Sequence, residues 1–547
     1  MANRRLQIAL AGAALTGALV GLVVGGFEFL AGEVLLESVL EAPLWQQLAA
    51  PFAGLVVTAL LLRWIASGAS ASTSDEYISN FHARRTNLPF GPVPGRMAAG
   101  GATVGLGGAM GLEGPSIYVG AVIGHHIQER LRRFFSREDA KLLLVAGAAA
   151  GVSAVFKAPA TGVIFALEVP YRDDVARRAL LPALIASASS YLVFVTVTGS
   201  TEPLFPVFGS IPTFELAELG GAAAIGVAAG AGARLLSFLV GRAKDLASRI
   251  PAWKRVPIAG VILGLLVVAS EAVANQPLSL GPGYETQLWV SDASIELWAI
   301  AALFAIRAAA TTATLAGGGA GGLFIPLAVQ GLLLGRFVAG VLDQPGSSLF
   351  PFIGLAAFLG AGYRTPMAGV MFVAESTGRA GFVVPALVAA AVSQLLMGDA
   401  GVSRNQKSVR AGHLEQRFQL PIATALTTDV LTVPPDATMA EFVYVHAIGN
   451  REQSVPVVED NRYLGMCDLE LVSEVPREHW ESTTVEPIIR DDLPVGRPTW
   501  FLRDAIAAME EADVDRLAVV DGDNLFVGLV TRSEILKLDE VLDRTGG

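Results

Sequence analysis

Gly107-Gly108-Ala109-Met110-Gly111-Leu112-Glu113-Gly114-Pro115 is the stretch whose reading decides the fold. It is read together with Gly317-Gly318-Gly319-Ala320-Gly321-Gly322-Leu323-Phe324-Ile325-Pro326. Each ends in a Gly-x-x-x-Pro step, framed by Gly111 and Pro115 in the first and by Gly322 and Pro326 in the second, and each leads into an apolar run. Proline suits the first turn of a helix, where its missing N–H is no loss. Glycines ahead of it leave the backbone N–H groups approachable. A helix start carries a partial positive charge and unpaired donors, so it attracts anions. Two such starts at mid-membrane depth predict a site for a small dehydrated anion, and with it anion transport.

The composition agrees with a membrane setting. Of 547 residues, 52% are hydrophobic and only 16% charged, against roughly 25% charged in an ordinary soluble domain. Mean hydropathy is +0.53. Long apolar blocks recur over residues 6–397, several long enough to cross a bilayer, and others short and broken by Gly or Pro, as suits helices that stop inside the membrane. Met1-Ala2-Asn3-Arg4-Arg5 ahead of an apolar run imitates a signal peptide. The run continues past Phe29 and further hydrophobic segments follow, so it is read as an uncleaved first helix. Basic clusters at Arg4-Arg5, 130–133 and 404–417 place the N-terminus and the tail in the cytoplasm by the positive-inside rule.

The net charge is −11, much of it after residue 420, which points away from nucleic acid as a partner. A single cysteine, Cys467, excludes an intrachain disulfide, and few histidines argue against a Cys/His metal cluster. The adjacent His125-His126 is read as an interfacial pair. No nucleophile–base constellation points to an enzyme.

The membrane part repeats itself. Lys157-Ala158-Pro159-Ala160-Thr161-Gly162-Val163-Ile164-Phe165-Ala166-Leu167-Glu168 follows the first glycine motif, and Arg364-Thr365-Pro366-Met367-Ala368-Gly369-Val370-Met371-Phe372-Val373-Ala374-Glu375 follows the second. Base, Pro, Gly-Val, Phe and Glu recur in register. Paired, interrupted hydrophobic segments indicate a repeat-built transporter with its site where the repeats meet. Residues 398–419 are polar and basic, and read as a final short helix or a linker. Beyond residue 420, helix 438–448, strands 454–459 and 463–467 and the turn Asp460-Asn461 form one α/β unit. Helix 502–512, strands 516–520 and 525–530 and the turn 521–524 form a second.

With these residues in place, the chain resembles the CLC family of chloride channels and proton/chloride antiporters. Its tail resembles a tandem pair of cystathionine-β-synthase-type (CBS) domains. Gly111-Leu112-Glu113-Gly114-Pro115 is similar to the family's Gly-Arg-Glu-Gly-Pro motif, and Gly322-Leu323-Phe324-Ile325-Pro326 to its Gly-x-Phe-x-Pro motif. The resemblance implies a polytopic α-helical membrane protein with an inverted internal repeat (CLC-like), followed by cytoplasmic α/β tandem CBS domains. The expected boundaries are 1–412 for the transmembrane domain, 413–420 for a linker, and 421–480 and 481–547 for the two CBS repeats. It also implies a homodimer in the plasma membrane, in contact with lipid, with one anion path per subunit.

By position, the backbone N–H groups of Leu112, Glu113, Gly114, Leu323, Phe324 and Ile325 would hold the anion, and the Glu113 carboxylate would be the gate. A carboxylate is itself an anion and can occupy the site in place of chloride; protonation removes its charge and its hold. The competing structural reading is an acid placed at a helix start.

Four positions depart from the family pattern. Ser72 takes the place of the anion-facing serine, or caps a helix. The motif's Arg is Leu112. The inner anion-coordinating tyrosine is missing, leaving Ser403 as a hydroxyl or as part of a solvated linker. The internal proton-transfer glutamate is Val169, the apolar choice of family channels and of some antiporters. Glu168 beside it reads as a structural residue at a helix end. In the tail, Thr531 and Glu534 stand where CBS pairs bind the phosphate and ribose of an adenine nucleotide, and dimerisation without ligand stays open. No cofactor is otherwise required. The leading expectation is a chloride channel gated by a protonatable glutamate. A proton-coupled chloride or fluoride antiporter of the same fold is the near alternative. A CBS-regulated divalent-cation channel is the remote one, since acidic residues are scarce in the membrane segments.

Overall fold

The computed structural model describes residues 2–83, 85–135, 139–205, 207, 218–408, 420–449 and 452–545. The chain divides into two units, 1–410 and 411–547. Most of the expected 413–420 linker lies outside the described residues.

Among its described residues the first unit is built of helices, two kinds of which frame the site. Among the described residues, eight are long and apolar enough to cross a membrane. Their outward faces carry Leu, Val and Ile, with Leu395 84% exposed. Trp45 and Trp64, near the two ends of helix Leu44–Trp64, are exposed, as suits an aromatic belt at each membrane–water boundary. The other kind is short and buried: Leu142–Phe156, Pro159–Glu168, Leu349–Tyr363 and Pro366–Thr377. Each half of the domain contains one such broken pair. At the break, Lys157 (φ 52°) and Arg364 (φ 60°) adopt the left-handed conformation. Ala158 N donates to Ser153 O, and Thr365 N to Gly360 O, which closes a Schellman-type stop before the next helix opens on proline. The base-and-proline pair seen twice in the sequence is this stop.

The packing repeats as well. A Cβ on Gly120 would lie 2.1 Å from Gly147 O, and one on Gly331 would lie 2.3 Å from Gly354 O. Helix Glu113–Arg130 therefore packs on Leu142–Phe156 at backbone contact, and Phe324–Val341 packs on Leu349–Tyr363 in the same way. Small residues allow this close approach where no hydrophobic effect drives helices together in lipid.

The segment after helix Val383–Met397 differs from the solvated linker read from its polarity. Val402 N donates to Gly362 O, and Lys407 pairs with Tyr171 in a parallel bridge. The buried Gln406 amide donates to Val169 O and Tyr363 O. Residues 402–408 are thus laced onto the membrane domain; buried carbonyls need such donors.

The second unit holds two three-stranded sheets. β1 (Ser454–Glu459), β2 (Arg462–Asp468) and β3 (Ile489–Arg490) are antiparallel in that order. In the other sheet β4 (Val495–Gly496) runs parallel to β5 (Arg516–Val520), which pairs antiparallel with β6 (Phe526–Thr531). Asp460 and Asn461 both have positive φ, the demand of a tight two-residue hairpin. Tyr463 N donates to Asn524 O and Phe526 N to Asn461 O, so the two repeats are joined hairpin to hairpin. Each has its own apolar core.

Candidate anion site

The two glycine motifs meet in the middle of the membrane domain. Gly111 N donates to Gly322 O at 3.0 Å, and Gly322 N to Gly111 O at 2.7 Å, in an antiparallel bridge. Around it the contacts are reciprocal. Ala109 N donates to Thr314 Oγ1, and Ala320 N donates to Thr103 Oγ1. Deeper in, the Glu375 carboxylate accepts from Ala160 N and Thr161 N, opening helix Pro159–Glu168. Glu168 accepts from Met367 N and Ala368 N, opening helix Pro366–Thr377. Each carboxylate satisfies N–H donors that a helix start leaves orphaned. Glu168 therefore has the structural role read for it, with a partner in the opposite repeat.

As read from the glycine–proline motifs, helices open at Glu113 and Phe324. The Glu113 side chain is fully buried. It crosses from its own helix to the other one: Oε1 accepts from Phe324 N at 2.5 Å. The N–H groups of Ile325 and of Glu113 itself face the same carboxylate. Its Oε2 is buried without a hydrogen-bond partner among the described residues. A Cβ on Gly111 would lie 1.9 Å from Oε2, and one on Gly322 would lie 2.1 Å from Oε1, so glycine at both positions is what admits the carboxylate. Leu112, the residue before the first helix, is buried and apolar. Gly114 belongs to the first turn, beneath Thr73. Phe324 is packed against Phe156, 4.2 Å between ring centroids, and against Phe165 and Phe372.

Of the two hydroxyls read from the sequence, Ser72 lines the cavity that leads to the helix starts, and both are bound to an aspartate. Ser72 Oγ donates to Asp75 Oδ2 and Ser403 Oγ to Asp75 Oδ1, each at 2.7 Å. Both serines are occupied in holding one aspartate, which also takes the Lys244 ammonium at 2.6 Å. Ser72 makes no side-chain cap either. The hydroxyl that reaches the first helix start is that of Thr73, buried, without a hydrogen-bond partner among the described residues, and 2.7 Å from where a Cβ on Gly114 would sit. The hydroxyl at the second is Tyr363 Oη, which accepts from Leu323 N at 3.2 Å. Tyr363 is the repeat-mate of Phe156, each directly preceding a left-handed base. That register was readable, and it is the signal that would have found it. Val169 is buried at the end of helix Pro159–Glu168.

A cavity of about 930 Å³ runs from the side where helix Leu44–Trp64 ends, past Val402, Arg404 and Asn405, up to Met110, Thr73, Leu323 and Tyr363. It thus stops one residue short of the Phe324 N–H that holds Glu113.

In the tail, Thr531 Oγ1 accepts from Glu534 N and contacts Ser533 Oγ, so it caps helix Arg532–Thr545. Glu534 pairs with Lys537. Cys467 is buried, and burial pushes its thiol up to about 12. No cluster of potential metal ligands is found among the described residues.

A sequence model of the family described as "Voltage gated chloride channel" matches residues 53–398, most of the membrane domain and more than half of the chain. The chain belongs to that family. CBS domains match residues 422–471 and 485–540. The H(+)/Cl(-) exchange transporter ClcA of Klebsiella pneumoniae is 28% identical over 320 residues, 56% of this chain and 65% of that one. Among solved structures, a CLC-type fluoride/proton antiporter superposes with a TM-score of 0.62 at 21% identity, over 74% of this chain and 98% of that one. A eukaryotic CLC transporter gives 0.58 at 16% identity, over 97% of this chain and 98% of that one. The chain is a CLC-family anion-transport protein of the membrane, with the CLC fold and a C-terminal CBS pair.

Proposed function

We propose that the protein conducts chloride passively, with Glu113 as its protonatable gate. One observation carries this reading: the Glu113 carboxylate sits on the Phe324 N–H in the place an anion would take, while the cavity behind it reaches Leu323 and Tyr363. When ionised, the carboxylate outcompetes a mobile anion for those donors. When protonated it loses its charge, and chloride replaces it. An exchanger needs a second gate and a proton route apart from the anion route. Val169 cannot hold a proton, and the cavity leaves the other side open.

Proton-coupled exchange is the second reading, favoured because the Klebsiella relative is named an exchange transporter. Purified protein in liposomes separates the two. With a chloride gradient, the zero-current voltage of a passive path follows chloride alone. A shift of that voltage with an imposed pH gradient, or uphill proton movement driven by chloride, establishes the exchanger instead.

Three further expectations belong to the same proposal. The protein works as a homodimer in the plasma membrane. The CBS tail and the N-terminus lie in the cytoplasm, in keeping with the basic clusters. The tail binds an adenine nucleotide near Thr531 and Glu534 or serves dimerisation alone. A ligand that binds only the folded state raises its melting temperature. Millimolar ATP or AMP with no thermal shift leaves dimerisation.

A further inference from the structure

The cavity wall carries a cation that has no counter-ion among the described residues. Arg255 lies in the first turn of helix Ala252–Ala274, and its guanidinium packs over the backbone of Gly318. A Cβ on Gly318 would lie 2.6 Å from Nη2, and Gly318 has φ +87°, so the backbone conformation favours glycine there and the guanidinium lies close over it. The guanidinium has five donors. Its one hydrogen bond among the described residues is a long one, Nη1 to Ile250 O at 3.4 Å. Nε is buried with no hydrogen-bond partner among the described residues.

The two acids on the same cavity are already committed. Asp75 holds Lys244, Ser72 and Ser403; Glu76 holds Arg96 at 2.7 Å. No carboxylate of the described residues forms an ion pair with Arg255. A guanidinium half-removed from water with unfilled donors is costly unless an anion completes it. The same cavity wall continues from Arg255 and Gly318 to Leu323 and Tyr363.

We propose that Arg255 is the ligand of a second anion position, inside the cavity and ahead of the helix starts, for a small monovalent inorganic anion. This rests on the reading of the protein as an anion conductor. The position supplies the counter-ion that Arg255 lacks among the described residues, and concentrates anions at the mouth of the path. It does so with a planar fork, which fits a flat oxyanion such as nitrate as well as it fits a halide.

The test uses full-length protein and two probes, chloride and nitrate, with two readouts: calorimetric titration in detergent, and flux in liposomes against anion concentration. Arg255→Gln should weaken one calorimetric binding step and raise the half-saturating chloride concentration for flux by about tenfold, the loss of one charge-assisted contact. Maximal flux should stay unchanged. Arg255→Lys should keep most of the chloride effect and lose more of the nitrate effect, because an ammonium is a point charge without the fork. Unaltered binding and half-saturation in a transporting Arg255→Gln protein overturn the site. A fall in maximal flux with no change in half-saturation also overturns it, and makes Arg255 a packing residue of the Gly318 loop. If the wild type carries no anion flux, the conduction reading falls, and the calorimetric arm alone decides Arg255.

Discussion

In the first half of the membrane domain the residue that opens the central buried helix is Glu113; in the second half it is Phe324. The two are 211 positions apart, the same offset that separates Gly111 from Gly322 and Thr103 from Thr314. Around them the halves exchange identical contacts: carbonyl for carbonyl at the glycines, threonine for threonine behind them, carboxylate cap for carboxylate cap at Glu168 and Glu375. The matching residues diverge at a few places. Glu113 faces Phe324, Phe156 faces Tyr363, and Arg96 binds the Glu76 carboxylate where Arg307 binds backbone carbonyls. Shared contacts build the frame, and the chemistry lies where the halves part company. The backbone can be symmetric because helix starts need only N–H donors, whereas a gate needs one titratable group and not two.

The largest test of that division is Glu113→Gln. An amide cannot ionise, so flux should lose its pH dependence. Wild-type flux should fall as pH rises through the titration of one carboxyl, by up to about tenfold per pH unit. Chloride efflux from liposomes across the neutral range measures both, and a Gln variant as pH-sensitive as wild type would move the gate off Glu113. Next comes Gly322→Val. Its Cβ would overlap the seat of the Glu113 carboxylate, and flux should fall by about tenfold or more, as a near-ångström misplacement at a site does. Wild-type flux in a folded variant counts against the site.

Much of this frame was legible in the sequence, and the reason is local. Gly-x-x-x-Pro is the grammar of a helix start, written within a few residues, so Glu113 and Phe324 mark helices that exist; the base–proline pair was legible as a repeat, and its left-handed stop is seen only in the structure. Hairpin turns in the tail were legible for the same reason: Asp460-Asn461 is a two-residue demand for positive φ. What crosses between elements was not legible. Which neighbouring hydroxyl faces a helix start depends on rotation about the chain, so the position of Thr73 Oγ1 beside Gly114 had no signal next to that of Ser72. No tyrosine lies near the end of the domain, where Ser403 is spent on Asp75; the hydroxyl that accepts from Leu323 N, Tyr363 Oη, comes from another helix. Gln406 lacks any local signature, because its amide acts on carbonyls more than 40 residues away.

The shared contacts yield smaller effects, and they should come in equal pairs. Glu168→Ala and Glu375→Ala each strip the acceptor from two N–H groups at a helix start, Glu375→Ala from the Thr161 hydroxyl as well, and should each destabilise the protein by about 1–3 kcal/mol, read as unfolding in detergent. A large difference between them would show that the reciprocity is geometric and not energetic. Smallest of all, Thr103→Val and Thr314→Val each remove one hydrogen bond to a backbone N–H, worth about 1 kcal/mol each, together with a contact to the Thr58 hydroxyl in one case and to Ala310 O in the other. Unequal losses there would place the asymmetry of the site in its frame as well as in its gate.

The antiparallel rung between Gly111 and Gly322, with its flanking exchanges, has the form of a two-fold contact between identical partners, in which i meets j and j meets i. Had the halves been separate chains, every substitution would have appeared twice, and an acid at one helix start would have forced an acid at the other, two like charges at a single seat. Joining them on one chain releases that constraint. Covalent continuity is what permits a lone carboxylate to face a phenylalanine across an interface that is otherwise a dimer with itself.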